Sequence, residues 1–157
     1  MEQLRRICRH QMIMNVNSMN FPVLRINEFH IRRFQSPSEL KLMSQKYLEN
    51  NKFKEKTFFI DSKGIKWTLL DTRWKRKSLN PFRWSRRSPA IIIDHKIEQS
   101  IQLTIDDIKN IILTMVLKEK WHRQGHQSEA QFRNMIADTN SIPEIINAIS
   151  FYGDWVG

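Results

Sequence analysis

Apolar positions recur at two different spacings along this chain. Between Thr57 and Ile97 they fall in short runs rich in β-branched and aromatic residues, whereas between Thr104 and Ile149 they return every three or four residues. The first pattern predicts strands and the second amphipathic helices. Thr57–Ile60 and Ile65–Leu70 read as two strands, and the intervening Asp61-Ser62-Lys63-Gly64 reads as their turn, because glycine takes a positive φ without steric cost. Ala90–Ile97 reads as a further strand, and its run Ile91-Ile92-Ile93 suggests a central one with both faces partly covered. Arg73–Pro89, polar and aromatic with two of the five prolines, reads as a connection. Val23–Phe34 is extended in character, with only partial alternation.

Four helix starts carry the same chemical signature. Ser36/Glu39, Thr104/Asp107, Ser128/Gln131 and Ser141/Glu144 each have the spacing of a capping box, in which a hydroxyl and a side-chain carbonyl or carboxylate take up orphan backbone N–H groups. Pro37 occupies the first helical position of the first helix, which is expected to carry Leu40, Met43, Tyr47 and Leu48 and to end near Asn50-Asn51. The second helix bears the stripe Ile105, Ile108, Ile111, Ile112, Met115 and Val116, with a break at Gly125. The third bears Phe132, Met135 and Ile136, and the fourth Ile145, Ile146 and Ile149. The order predicts an α+β fold: a small, mostly antiparallel sheet with helices packed on one side and an all-helical C-terminal third. Residues 1–19 lack such a pattern and are expected to be a loosely attached leader, upstream of a start at Met19, with 20–157 forming a single domain.

Composition narrows the function classes. At 157 residues, with 40% hydrophobic and 27% charged residues, the chain suits one globular domain and not a disordered tail. No apolar run reaches the roughly 18 residues of a membrane span, and residues 1–10 lack the apolar core of a secretory signal, so a cytoplasmic protein is expected. A single cysteine, Cys8, excludes an internal disulfide framework and has no patterned His or Asn partner. The net charge of +10 is concentrated: residues 1–89 hold 20 Lys and Arg against 7 Asp and Glu, a net +13, and residues 90–157 hold 6 against 9, a net −3. Such asymmetry points to nucleic acid or an acidic protein as a partner.

The candidate chemistry lies mostly in that basic half. Between Arg73 and Arg87 stand Arg73, Lys75, Arg76, Lys77, Arg83, Arg86 and Arg87, with Trp74, Phe82 and Trp84 interleaved and no acidic residue. Guanidinium forks suit phosphate or carboxylate, and aromatic faces stack on bases or cations. Trp and Arg also dominate protein-interface hot spots. A third reading has Trp74 and Phe82 anchoring the segment while its charges face water. Trp74, Arg76, Arg83, Trp84, Arg86 and Arg87 are the expected partner-binding residues, with Trp121 a further candidate in the break between helices. His122 and His126 lie four apart, but without the third ligand zinc needs they read as solvent-exposed or capping residues, and no metal or cofactor site is expected. Asp71 followed by Asp94-His95-Lys96 resembles the carboxylate and lysine signature of magnesium-dependent nucleases, although such a short pattern commonly means only strand-end solubility.

Several stretches between residues 57 and 155 resemble small immunity proteins of bacterial polymorphic toxin systems, including contact-dependent growth inhibition. The resemblance is carried by Phe58-Phe59-Ile60-Asp61-Ser62-Lys63-Gly64-Ile65-Lys66-Trp67 and by Leu103-Thr104-Ile105-Asp106-Asp107-Ile108-Lys109. It continues in Lys120-Trp121-His122, Glu129-Ala130-Gln131-Phe132 and Ile142–Ser150. It implies a cytoplasmic, non-enzymatic protein that binds one cognate toxin domain and blocks its active site or substrate entry. Immunity proteins that act by mimicking nucleic acid are acidic, so this basic chain is expected to meet an acidic toxin surface or to bind beside the active site. A basic nucleic-acid-binding protein is the alternative, and a magnesium-dependent nuclease using Asp71, Asp94 and Lys96 a third reading.

Overall fold

Among the described residues, backbone pairing joins six strands into one antiparallel sheet. The computed structural model describes residues 13–49, 56–77 and 90–154. The strands are β1 (Val23–Ile26), β2 (Ile31–Phe34), β3 (Leu42–Ser44), β4 (Phe58–Ile60), β5 (Ile65–Lys77) and β6 (Ala90–Gln102), ordered β2-β1-β4-β5-β6-β3 across the sheet. Short helices α1 (Pro37–Leu40) and α2 (Gln45–Glu49) flank β3, and α3 (Ile105–Lys118), α4 (Glu129–Ala137) and α5 (Ile142–Ala148) follow β6. The α+β class is as the periodicity predicts. The C-terminal third is not helical throughout: it returns to the sheet, where Gly153 bridges His30 and the Ile31 N–H donates to the Tyr152 carbonyl.

Strand alternation divides the interior into two cores. Leu24, Ile26, Ile31 and Ile60 point to one face and bury Ile108, Ile112 and Val116 of α3, Phe132 and Ile136 of α4, and Ile145 and Ile146 of α5. The opposite face of the curled sheet encloses Val23, Phe34, Phe59, Trp67, Leu69, Ile91, Ile93 and Ile97, closed over by Leu40, Met43 and Tyr47. α3–α5 therefore lie on one face, whereas α1 and α2 cover the other through Leu40 and Tyr47, so the helices are not confined to one side of the sheet as expected.

Three expectations change. The predicted helix from Pro37 is interrupted, because Leu42, Met43 and Ser44 pair with Ile92, Ile91 and Ala90 of β6. Ladder bonds to the end of β6 replace a helical turn there, and the Ser44 hydroxyl accepts from the Tyr47 N–H to start α2. Arg73–Lys77, expected to be connection, extends β5, and β6 runs on to Gln102. The leader is not loose throughout: Val16 and Met19 are buried in the second core, and Met14 bridges Ile97. Residues 1–12, with Cys8, lie outside the described residues.

The four predicted helix starts divide two and two. Thr104/Asp107 and Ser128/Gln131 form reciprocal capping boxes. At α1 and α5 the serine accepts from the third helical N–H, but the carboxylates of Glu39 and Glu144 reach one residue further back, to the N–H groups of Gln35 and Asn140. Both of these helices carry proline in their first two positions.

Candidate functional site

β5 and β6 are long, 13 residues each, and their inward positions are mostly apolar, with the buried Thr72–His95 pair among them, while their outward positions can be charged. Two extra residues on β5, Leu70 and Lys75, shift the register between Leu69 and Asp71 and between Trp74 and Arg76. Such bulges twist the strand and re-aim side chains. On the outward face the bulges set Asp71 opposite Lys96 and Arg73 opposite Asp94. Around them the Asp71 carboxylate accepts from the Arg73 Nε at 3.2 Å, and the Asp94 carboxylate lies 3.9 Å from the Lys75 ammonium. Charges of both signs are thus interleaved on a sheet surface.

Trp74 has the inward parity of Thr72, opposite Ile93, yet 48% of its surface is exposed. Leu70 is likewise 46% exposed at its bulge. Arg73, Lys75 and Arg76 are exposed on the same strand. The stretch of the ribbon from Leu70 to Arg76 therefore offers an indole, an aliphatic side chain and three cations from its two faces. Of the sequence-predicted contacts, Trp74 and Arg76 are surface residues here, whereas Arg83, Trp84, Arg86 and Arg87 lie outside the described residues.

Trp121 is a correction. It is 1% exposed, and Lys120 in the left-handed region (φ 59°) turns the chain so that the indole enters the core with Phe132 and Phe151. A side chain so enclosed cannot meet a surface partner. The two histidines also separate: His126 is exposed in a left-handed conformation that ends the 3-10 segment Trp121–Gly125, while His122 is buried and stacked on Phe132.

The three residues of the nuclease signature share the outward face of the ribbon, but their carboxylates face cations across and along the strands. His95 points the other way, buried, with its Nδ1 2.8 Å from the Thr72 hydroxyl. Burial lowers its pKa to about 3, with the Arg25 charge adding to the effect. No group of three or more His, Cys, Asp or Glu suited to a metal ion occurs among the described residues. No helix among them is long and apolar enough to cross a membrane.

A second polar cluster escaped the sequence reading. Arg25, His30 and Tyr47 are all buried beneath the β1–β2 hairpin. The Arg25 Nε donates to the His30 Nε2 at 2.8 Å, which places the imidazole proton on Nδ1, 2.6 Å from the Tyr47 hydroxyl. Burial lowers the His30 pKa to about 2 and the Arg25 pKa to about 10, so at neutral pH the imidazole is neutral and the guanidinium still charged. One signal was legible: Arg25 interrupts the otherwise apolar Val23–Ile26. No family model, no curated protein and no solved structure matches this chain.

Proposed function

We propose that this chain is a protein-binding module of the immunity type, which neutralises a cognate toxin domain by one-to-one association through the half of the β5–β6 ribbon that runs from Leu70 to Arg76. The observation that carries the reading is the interleaving of charges there, Asp71 opposite Lys96 and Arg73 opposite Asp94, beside exposed Trp74 and Leu70. A surface built for phosphate backbones gains from uniform positive charge, since each cation releases a counterion. Here carboxylates offset the cations on the outward face, and two exposed apolar side chains, Leu70 at a bulge and Trp74 of the opposite parity, stand on the same strand. Trp and Arg anchors within a mixed polar surround are the usual composition of a protein interface. A stable complex of this kind buries about 1,200–2,000 Å² in total.

The test is co-purification with the C-terminal domain of the large protein encoded immediately upstream. Washing at about 0.5 M salt keeps the Debye length well below 10 Å and removes purely electrostatic partners. The expected result is a stoichiometric complex that suppresses the toxicity of that domain. The double variant Trp74→Ala, Arg76→Ala is expected to weaken it by roughly tenfold or more. Bulk nucleic acid eluting at low salt, with no complex at high salt, would establish the nucleic-acid reading instead. Metal-dependent nuclease activity lost in Asp94→Ala and Lys96→Ala, without loss of folding, would establish the nuclease reading.

A further inference from the structure

Arg25 and Arg32 are directly opposite each other in the antiparallel pairing of β1 with β2. Like charges in that relation are mutually destabilising. Both guanidinium groups lie over the ring of Phe34, 4.8 and 4.9 Å from its centroid. Arg25 also meets Tyr47 at 5.5 Å, and Arg32 meets Tyr152 at 5.4 Å. Aromatic faces therefore hold both cations in place. The His30 Nε2 further fixes the plane of the Arg25 guanidinium through its Nε.

A cavity of about 320 Å³ lies against this pair, lined by Arg25, His30, Arg32 and Tyr152, with no carboxylate lining it among the described residues. Arg25 is 3% exposed and forms the inner wall, while Arg32 and Tyr152 are exposed. The volume is that of a small organic ligand's site. Two ordered cations at one cavity match a dianion, and a guanidinium is the side chain best shaped to grip phosphate oxygens in pairs.

We propose that this cavity binds a phosphate monoester, the dianionic phosphate held between Arg25 and Arg32 and the organic portion lying against the Tyr152 ring. The anion would neutralise the cross-strand repulsion, so binding and hairpin stability are coupled. The site is built on β1, β2 and the C-terminal return, so the inference stands apart from the function proposed for the β5–β6 ribbon.

The test is calorimetric titration of the full chain at low ionic strength with phenyl phosphate, inorganic phosphate and, for comparison, acetate. Saturable one-site binding of both phosphates is expected, with acetate far weaker, together with a phosphate-dependent rise in thermal midpoint. Arg32→Gln, at an exposed position, is expected to fold, to weaken phosphate binding roughly tenfold or more and to abolish the rise. Arg133→Gln, on the surface of α4, is expected to bind phosphate as the parent does. Acetate binding as tightly as phosphate, parent-like binding by Arg32→Gln, an equal loss in Arg133→Gln, or no phosphate binding at all would each overturn the proposal.

Discussion

Asp61 has no exposed surface, and its carboxylate receives five N–H groups: the Asn20 main chain and side chain, the main chains of Lys63 and Ile65, and the Trp67 indole. One side chain thus closes the β4–β5 turn, ties the N-terminal segment to it and satisfies a buried indole. Asp61→Ala leaves those donors without acceptors and is expected to cost about 3 kcal/mol or more, read from urea unfolding, with Asp61→Asn milder because one acceptor oxygen remains. Gly64 in the same turn has φ +79°, and a Cβ there would stand 2.8 Å from both the Leu103 carbonyl oxygen and the Ile142 Cδ1. Gly64→Ala is expected to cost about 1–3 kcal/mol in the same measurement, from backbone strain and overpacking together. The need for glycine was legible in the sequence, since turns of this kind announce it. The hub at Asp61 was not, because its partners include Asn20, 41 residues away.

Local chemistry decided where most elements begin, and tertiary pairing decided where some of them stop. Thr104 accepts the Asp107 N–H at 3.1 Å while the Asp107 carboxylate takes the Thr104 N–H, so this box closes on itself. Ser141 accepts from Glu144 at 3.4 Å, and the Glu144 carboxylate bonds Asn140 independently of the hydroxyl. Thr104→Ala is therefore expected to cost about 1 kcal/mol and Ser141→Ala less, a ranking that thermal unfolding of the two variants checks. The segment from Pro37 to Glu49 has helical spacing and a good cap, yet β6 offers an unpaired edge at Ala90–Ile92, and three residues leave the helix to fill it. No periodicity within the segment announces that edge. The reverse holds for Arg73–Lys77, whose polarity reads as connection but whose outward positions suit a strand with one solvated face.

Across the whole molecule, burial of ionisable groups sets the acid limit of the fold. His30 and His95 are neutral when folded, with pKa values lowered by burial to about 2 and about 3 against 6.5 when exposed. Below about pH 6.5 the unfolded chain binds protons that the folded one refuses, so stability falls as pH falls and is complete above that value. Each histidine is expected to contribute a loss of up to about 2 kcal/mol between pH 7 and pH 5. Urea unfolding at the two values measures the sum, and His95→Gln is expected to flatten the dependence; an unchanged slope would show that His95 is protonated without penalty. The charge asymmetry of the chain also takes a different form in three dimensions. The basic run at Arg73–Arg76 meets the carboxylates of Asp94 on β6 and Asp71 on β5, so part of its charge is met within its own ribbon.

The sequence alone determined the two kinds of element, the four helix starts and the glycine turn. All of these depend on interactions within a few residues, which spacing records directly. Only the tertiary structure decided that Trp121 is core, that Pro37–Glu49 is broken by a strand, and that Arg25 and Arg32 share one cavity. The reason is physical: burial, edge pairing and cross-strand register are properties of what lies opposite a residue. What lies opposite is chosen by the whole sheet, through contacts whose sequence separation hides them from any local pattern.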